Sequence, residues 1–467
     1  VNKHIKKECS GNLRTYFFKR NRLIKVYFLI YLELKIKNMS KIKNVYFVFM
    51  LMVWSQLVIS QKTISKPLIN TTPELVGMSS MRLSRIDTMC NNYIRDNRLP
   101  GMVMLVARKG KIAYHKAFGS ADAVTKEPLK TNHIFRIASQ TKAITSTAVM
   151  MLWEEGKFEL DDPIEKYIPE FKDAAILDSL YEDGTFTTKP AKNKITIRHL
   201  LTHTSGIGYG VIDGNRKIRK IYENAGIIDL YTTEPVKISD NIKKLAKLPL
   251  HHEPGEKYTY SEGLDVLGYF IEIMSGKTFD VFLRERIFVP LEMDDTWFYL
   301  PDSKSNRLVS VQTKKDGVWQ NFPVTFYDPD YPIKGAKTFF SGGAGLVSTA
   351  LDYAKFLQMY LNGGVYNGKR LLSRTTVNLI LSDQIEKLFG PNSDSGFGLA
   401  FSILNDNGFK KGNRGSTGTY GWGGYFNTHY FVDPKEEVIG VYLKQTQSIP
   451  DDTENKFKRL VSQAIID

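Results

Sequence analysis

The run Ser139-Gln140-Thr141-Lys142 has the residue types and spacing for nucleophilic catalysis. A serine hydroxyl is too weakly acidic to attack a carbonyl at neutral pH unless a neighbouring base takes its proton. Ala143, Ile144, Ala148, Met151 and Leu152 follow at helical spacing, and Gly156 would close the helix. Residues three apart on a helix share a face, so the Lys142 amine can reach the Ser139 hydroxyl. Backbone N–H groups at a helix start also favour developing negative charge. The tetrad alone carries little weight, because Ser-x-x-Lys recurs by chance in long chains.

The surrounding elements must position this pair. Ser80 to Arg95 has an amphipathic helical pattern that Pro100-Gly101 stops. Met102 to Arg108 and Lys111 to Phe118 read as strands joined by a tight turn at Lys109-Gly110. A Pro- and Gly-rich middle with short helical patterns extends to about residue 335. Tyr420 to Val432 and Val438 to Lys444 then read as strands around an Asp433-to-Glu436 turn, and a last amphipathic helix covers Phe457 to Ile466. This order predicts an α/β fold: an antiparallel sheet flanked by helices, with an inserted mainly helical domain. Residues 61–155 and 336–467 would form the α/β domain in two segments, 156–335 the insert, and the site would lie at their junction.

Charge is concentrated at the front. Residues 1–61 hold twelve Lys/Arg against Glu8 and Glu33, or +10 of the formal +15. The rest is mildly basic, with no basic stripe interleaved with aromatics, so no nucleic-acid partner is expected. From Met39, Lys41 and Lys43 precede an apolar run, Val45 to Ile59, and then Ser60-Gln61. That is the pattern of a secretory signal peptide over 39–60, which predicts export to the periplasm or medium. Left uncleaved, the run would anchor the chain in the inner membrane. Residues 1–38 lack this logic and read as a possible upstream extension or read-through. The two cysteines, Cys9 and Cys90, leave one thiol after cleavage, and Cys90 falls on the apolar side of its helix, as a buried structural residue would.

Further blocks recur in order: Leu99-Pro100-Gly101, Phe135-Arg136-Ile137-Ala138-Ser139, Gly156 to Ile164, Ile195 to Gly206, Pro254-Gly255, Tyr258-Thr259-Tyr260-Ser261 and Pro290-Leu291-Glu292-Met293. From about Leu75 to the C-terminus the sequence resembles the serine β-lactamase and penicillin-binding-protein-like hydrolases. Within them it is most similar to the class C-like branch and the family VIII carboxylesterases. The resemblance implies the β-lactamase/transpeptidase-like fold. It also implies that Tyr260, at the position of the family's Tyr-x-Asn tyrosine, is general base for Ser139 and acid for the leaving group. Glu262 then stands where the family has an amide that binds substrate, and an ionised carboxylate can only accept hydrogen bonds. Trp422-Gly423-Gly424 matches the third motif, usually Lys-Thr-Gly or His-x-Gly. The N–H groups of Ser139 and Tyr425 would form the oxyanion hole, with Glu262, Trp422, Gly423 and Gly424 lining the substrate site. Trp422 cannot pair with a carboxylate as lysine does, and Trp-Gly-Gly occurs in the carboxylesterase branch. Lys444, Lys411 and Arg414 are other cations that could recruit an acid.

The resulting expectation is a serine hydrolase acting on small-molecule, short-acyl esters. The alternatives are a class C-like β-lactamase, a D-alanyl-D-alanine carboxypeptidase or D-amino-acid peptidase, and a non-catalytic penicillin-fold binding module. No cofactor or metal is expected: His199 with His203, and His251-His252-Glu253, lack a third ligand at zinc spacing. Gly206-Ile207-Gly208-Tyr209-Gly210 and Ser341-Gly342-Gly343-Ala344-Gly345 read as turns near a cleft.

Overall fold

The computed structural model describes residues 67–467 apart from 413–414, 448 and 450–451. The expected signal segment, the stretch before it, Cys9 and Arg414 lie outside the described residues.

Strands from both ends of the chain build one eight-stranded sheet. In chain order they are β1 (Ile69–Asn70), β2 (Gly101–Arg108), β3 (Lys111–Gly119), β4 (Ser395–Phe397), β5 (Ser402–Leu404), β6 (Tyr420–Gly424), β7 (Thr428–Asp433) and β8 (Val438–Leu443). Their spatial order is β1-β3-β2-β8-β7-β6-β5-β4. The expected antiparallel pairing holds everywhere except the short edge strand β1, which runs parallel to β3 and makes the sheet mixed. The β2–β3 turn forms as the sequence predicts, with Lys109 and Gly110 both at positive φ (50° and 73°). The stretch read as one strand from Tyr420 to Val432 is two, because the chain reverses at Tyr425 to Asn427 and Asn427 takes φ 61°.

Every residue of β2 and β8 is buried, because helices cover both faces of the sheet. Met102, Met104 and Val106 point to the face packed by α1 (Ser80–Arg95) and the C-terminal helix (Thr453–Ser462), through Ile86, Met89, Phe457 and Val461. Val103, Leu105 and Ala107 point the other way, into the larger core with α2 (Thr141–Glu154), α3 (Gly263–Ser275) and α4 (Ala350–Leu361). That core runs without a break through residues of 61–155, 156–335 and 336–467. Cys90 is buried in the smaller core, where burial pushes its thiol up. The C-terminal helix stops at Ser462 rather than Ile466, because the backbone of Ala464 to Ile466 pairs with Gly77 to Ser79.

Arg136 ties the segment before the nucleophile into this frame. Its guanidinium is 1% exposed and donates to the carbonyls of Pro329 (2.6 Å) and Val309 (2.7 Å) and to Gln445 Oε1 (3.2 Å). Arg136→Met would leave the Pro329 and Val309 carbonyls without donors and take one of two donors from Gln445 Oε1. It should cost about 3 kcal/mol, visible as a lowered denaturant midpoint at unchanged m-value.

Candidate active site

Ser139 sits on a single tight turn, Ala138–Gln140, and α2 begins only at Thr141, two residues later than its apolar spacing suggests. Ala138 takes φ 45°, a left-handed conformation that costs a non-glycine residue about 1–2 kcal/mol. The surroundings enforce it: Ile137 N–H donates to the Leu346 carbonyl at 3.0 Å, and Phe135–Arg136 pairs with Val347–Ser348. The turn leaves Ser139 partly open to solvent, while Gln140 on one side and Ala138 on the other are buried.

Lys142 lies one turn further on and is 1% exposed. Its ammonium donates to Ser139 Oγ (3.3 Å), Tyr209 OH (3.0 Å) and the Gly343 carbonyl (2.8 Å), which uses all three of its hydrogens. Tyr260 OH donates to Ser139 Oγ at 2.7 Å, and the Tyr260 ring lies 4.6 Å from Lys142 Nζ. Ser139, Lys142 and Tyr260 therefore converge on one oxygen.

Three loops hold this group. Gly206 to Gly210 supplies Tyr209, whose phenol burial holds well above its ordinary range, with Tyr260 and then Asp265 adding to the effect. Tyr209 thus meets Lys142 as a neutral hydroxyl. Ser341 to Gly345 supplies the Gly343 carbonyl and is fixed by Asp265, whose Oδ1 accepts from Ser341 Oγ (2.6 Å) and Gly343 N–H (3.2 Å). Gly342 must be glycine, since a Cβ there would stand 2.2 Å from the Leu264 carbonyl at the start of α3. His203 buttresses Tyr260: the rings lie 4.7 Å apart, and His203 Nδ1 accepts the Ser261 N–H at 3.2 Å. Burial, then the Lys142 charge, pushes its imidazole well below the ordinary range, so the ring is neutral. Tyr209 and the Gly343 carbonyl were visible in the sequence only as parts of two glycine-rich turns.

The facing wall is β6. The half-buried Trp422 ring is 5.8 Å from Tyr260 and 5.4 Å from Phe397, so it meets the Ser139–Lys142–Tyr260 group as an apolar plate. Gly424 lies against the nucleophile turn, where a Cβ would stand 2.4 Å from the Ile137 carbonyl, and Tyr425 follows directly. Gly423 is packed on His429, with room for no side chain. Glu262 is not brought to this open face. It is 1% exposed, so the geometry does not support the substrate contact expected of it. Among the other cations, Lys444 is buried against Thr453 and Tyr442, and Lys411 pairs with Asp394 at 2.6 Å. Gly424→Ala would force β6 away from the Ser139 turn. It should lower kcat for ester substrates by about 100-fold with the fold retained by circular dichroism.

The arrangement can activate a serine, hold an acyl-enzyme and return a proton. Comparison with known proteins agrees with it. The family described as Beta-lactamase matches residues 86–464. Esterase EstB of Burkholderia gladioli is 31% identical over 373 residues, covering 75% of this chain and 87% of that protein. A putative D-alanyl-D-alanine carboxypeptidase of Escherichia coli K12 is 29% identical over 406 residues, covering 82% and 86%. Among solved structures, EstCE1, a hydrolase with promiscuous acyltransferase activity, superposes with a TM-score of 0.68 at 26% identity, covering 83% of this chain and 99% of that one. The chain belongs to the β-lactamase family and is a serine hydrolase with the fold of the penicillin-binding enzymes.

Proposed function

We propose that the protein hydrolyses small esters, with short acyl groups preferred, through an acyl-enzyme on Ser139. The carrying observation is the Trp422 ring 5.8 Å from Tyr260, at the position where the sequence resemblance implies a motif beginning with lysine or histidine. An apolar plate favours an uncharged ester over a penicillin or a peptide stem, both of which bring a carboxylate. The esterase relatives support the same reading.

Ser139 Oγ attacks the ester carbonyl while its proton passes to Tyr260, 2.7 Å away, which takes part as the phenolate after giving its own proton to solvent, and the Lys142 ammonium 3.3 Å from Oγ offsets that charge. The carbonyl oxygen becomes an oxyanion held by the N–H groups of Ser139 and Tyr425, beside the start of α2. Collapse expels the alkoxide, which takes a proton from Tyr260. Water then attacks the acyl-enzyme by the same route and releases the acid. Trp422, Gly423 and Gly424 wall the substrate. The carboxypeptidase relative favours a second reading, in which the substrate is a D-alanyl peptide. The apolar run from Val45 to Ile59 supports export with cleavage near Gln61, and mass determination of the mature N-terminus tests that.

Purified protein should turn over p-nitrophenyl acetate and butyrate. Ser139→Ala should lower kcat by about 10⁴-fold or more, and Tyr260→Phe by about 10²–10⁴-fold. Steady-state assays beside a chromogenic cephalosporin decide the substrate class. Turnover of the cephalosporin with none of the esters would overturn the ester reading.

A further inference from the structure

The loop that carries Tyr209 is held from beneath by the Asp229 carboxyl group and the Glu262 backbone. Gly210 N–H donates to Asp229 Oδ1 at 3.2 Å, and Val211 N–H donates to Asp229 Oδ2. One residue before Tyr209, the Gly208 carbonyl accepts the Glu262 N–H at 3.1 Å, and Gly208 N–H donates to Tyr222 OH at 3.1 Å. The Glu262 side chain is 1% exposed, its Oε1 has no partner among the described residues, and Asp229 is the strongest of the negative charges acting on it. Two buried carboxylates that act on each other resist both being ionised. Asp229 already accepts backbone N–H groups on both oxygens, so the proton belongs on Glu262.

We propose that Glu262 is a positioning residue in its neutral form: it donates to Asp229, fixes the 206–211 loop, and so holds Tyr209 OH against the Lys142 ammonium. This rests on the acyl-enzyme reading and accounts for Glu262 where related enzymes carry an amide. A protonated carboxylic acid can donate a hydrogen bond, as an amide can. If the loop slackens, Lys142 loses one of three acceptors in a buried site and is free to turn away from Ser139 Oγ.

The surroundings keep the proton in place. Burial first, then the negative charges of Asp229 and Asp265, hold the Glu262 carboxyl well above the usual range, and Lys142 acts in the opposite sense. The two other titratable groups that bear on it, Tyr209 and Tyr222, are buried phenols raised in turn. Because the folded value lies above the unfolded one, the native state keeps a proton that the unfolded chain releases. The associated stability is present at low pH and is lost as pH rises through the folded value. Deprotonation would set two charges against each other under the loop.

Steady-state kinetics on p-nitrophenyl acetate test this with Glu262→Gln, Glu262→Ala and Tyr209→Phe. Glu262→Gln should stay within about threefold of the wild type and should lose the alkaline decline in kcat that Glu262 imposes. Glu262→Ala should lower kcat about tenfold or more with little change in KM, and adding it to Tyr209→Phe should cost little further, because both act through one contact. Equal impairment of the Gln and Ala variants, an unchanged alkaline decline in Glu262→Gln, or full activity in Glu262→Ala would overturn the proposal. Should Glu262→Ala fail to fold, the Gln variant's rate and pH profile decide alone. Labelling of Ser139 by a fluorophosphonate tests the underlying reading separately: labelled wild type with the wrong Glu262 pattern sinks only this proposal, and unlabelled, inactive wild type sinks both.

Discussion

A buried ammonium needs an acceptor for each of its hydrogens, and in this protein that requirement organises the site. Lys142 is 1% exposed, and leaving such a charge unpaired in a dry interior would cost several kcal/mol. Among the described residues no carboxylate pairs with it. Its acceptors are a serine hydroxyl, a phenol and a peptide carbonyl, each on a different segment of the chain. The charge is therefore neutralised by no ion pair and stays available beside Ser139 and Tyr260. Each acceptor must be presented by something rigid, which accounts for the glycine-bearing loops at 206–210 and 341–345 and for the buried acids that anchor them.

The nucleophile turn works under the same constraint. Ala138 is held in a conformation that its side chain disfavours, between the Leu346 carbonyl and the passing strand β6. Arg136 fixes the approach to that turn from the opposite side through three buried hydrogen bonds. Strain at one residue is thus supported by packing in the layers around it, and this keeps Ser139 partly open to solvent just before a helix that is almost wholly buried.

Polarity is divided between the two sides of the cleft. Beneath Lys142 lie Asp265, Asp229 and Glu262, all out of reach of solvent and acting through loops. Facing it is an apolar plate of Trp422 backed by Phe397, with glycines bringing the backbone close. The charged groups lie below Ser139 Oγ, and the facing wall is aromatic.

Much of this was legible in the amino-acid order. The helix from Ser80 to Arg95, the β2–β3 hairpin and the Ser139–Lys142 spacing follow from local periodicity and turn chemistry, which depend on near neighbours only. The Tyr260 and Trp422 positions could be picked out because their motifs keep their order along the chain. Tyr209, the Gly343 carbonyl and the burial of Glu262 could not. Each depends on segments far apart in sequence meeting at one ammonium, and a glycine-rich turn looks the same whether or not a catalytic lysine lies behind it. The split at Tyr425 to Asn427 and the parallel edge strand β1 were settled in the same way, by pairing across the sheet. The sequence by itself determined which residues could do chemistry. Tertiary structure decided which of them share an oxygen, because only packing sets the distance and the desolvation that make a lysine, a phenol and a serine act as one group.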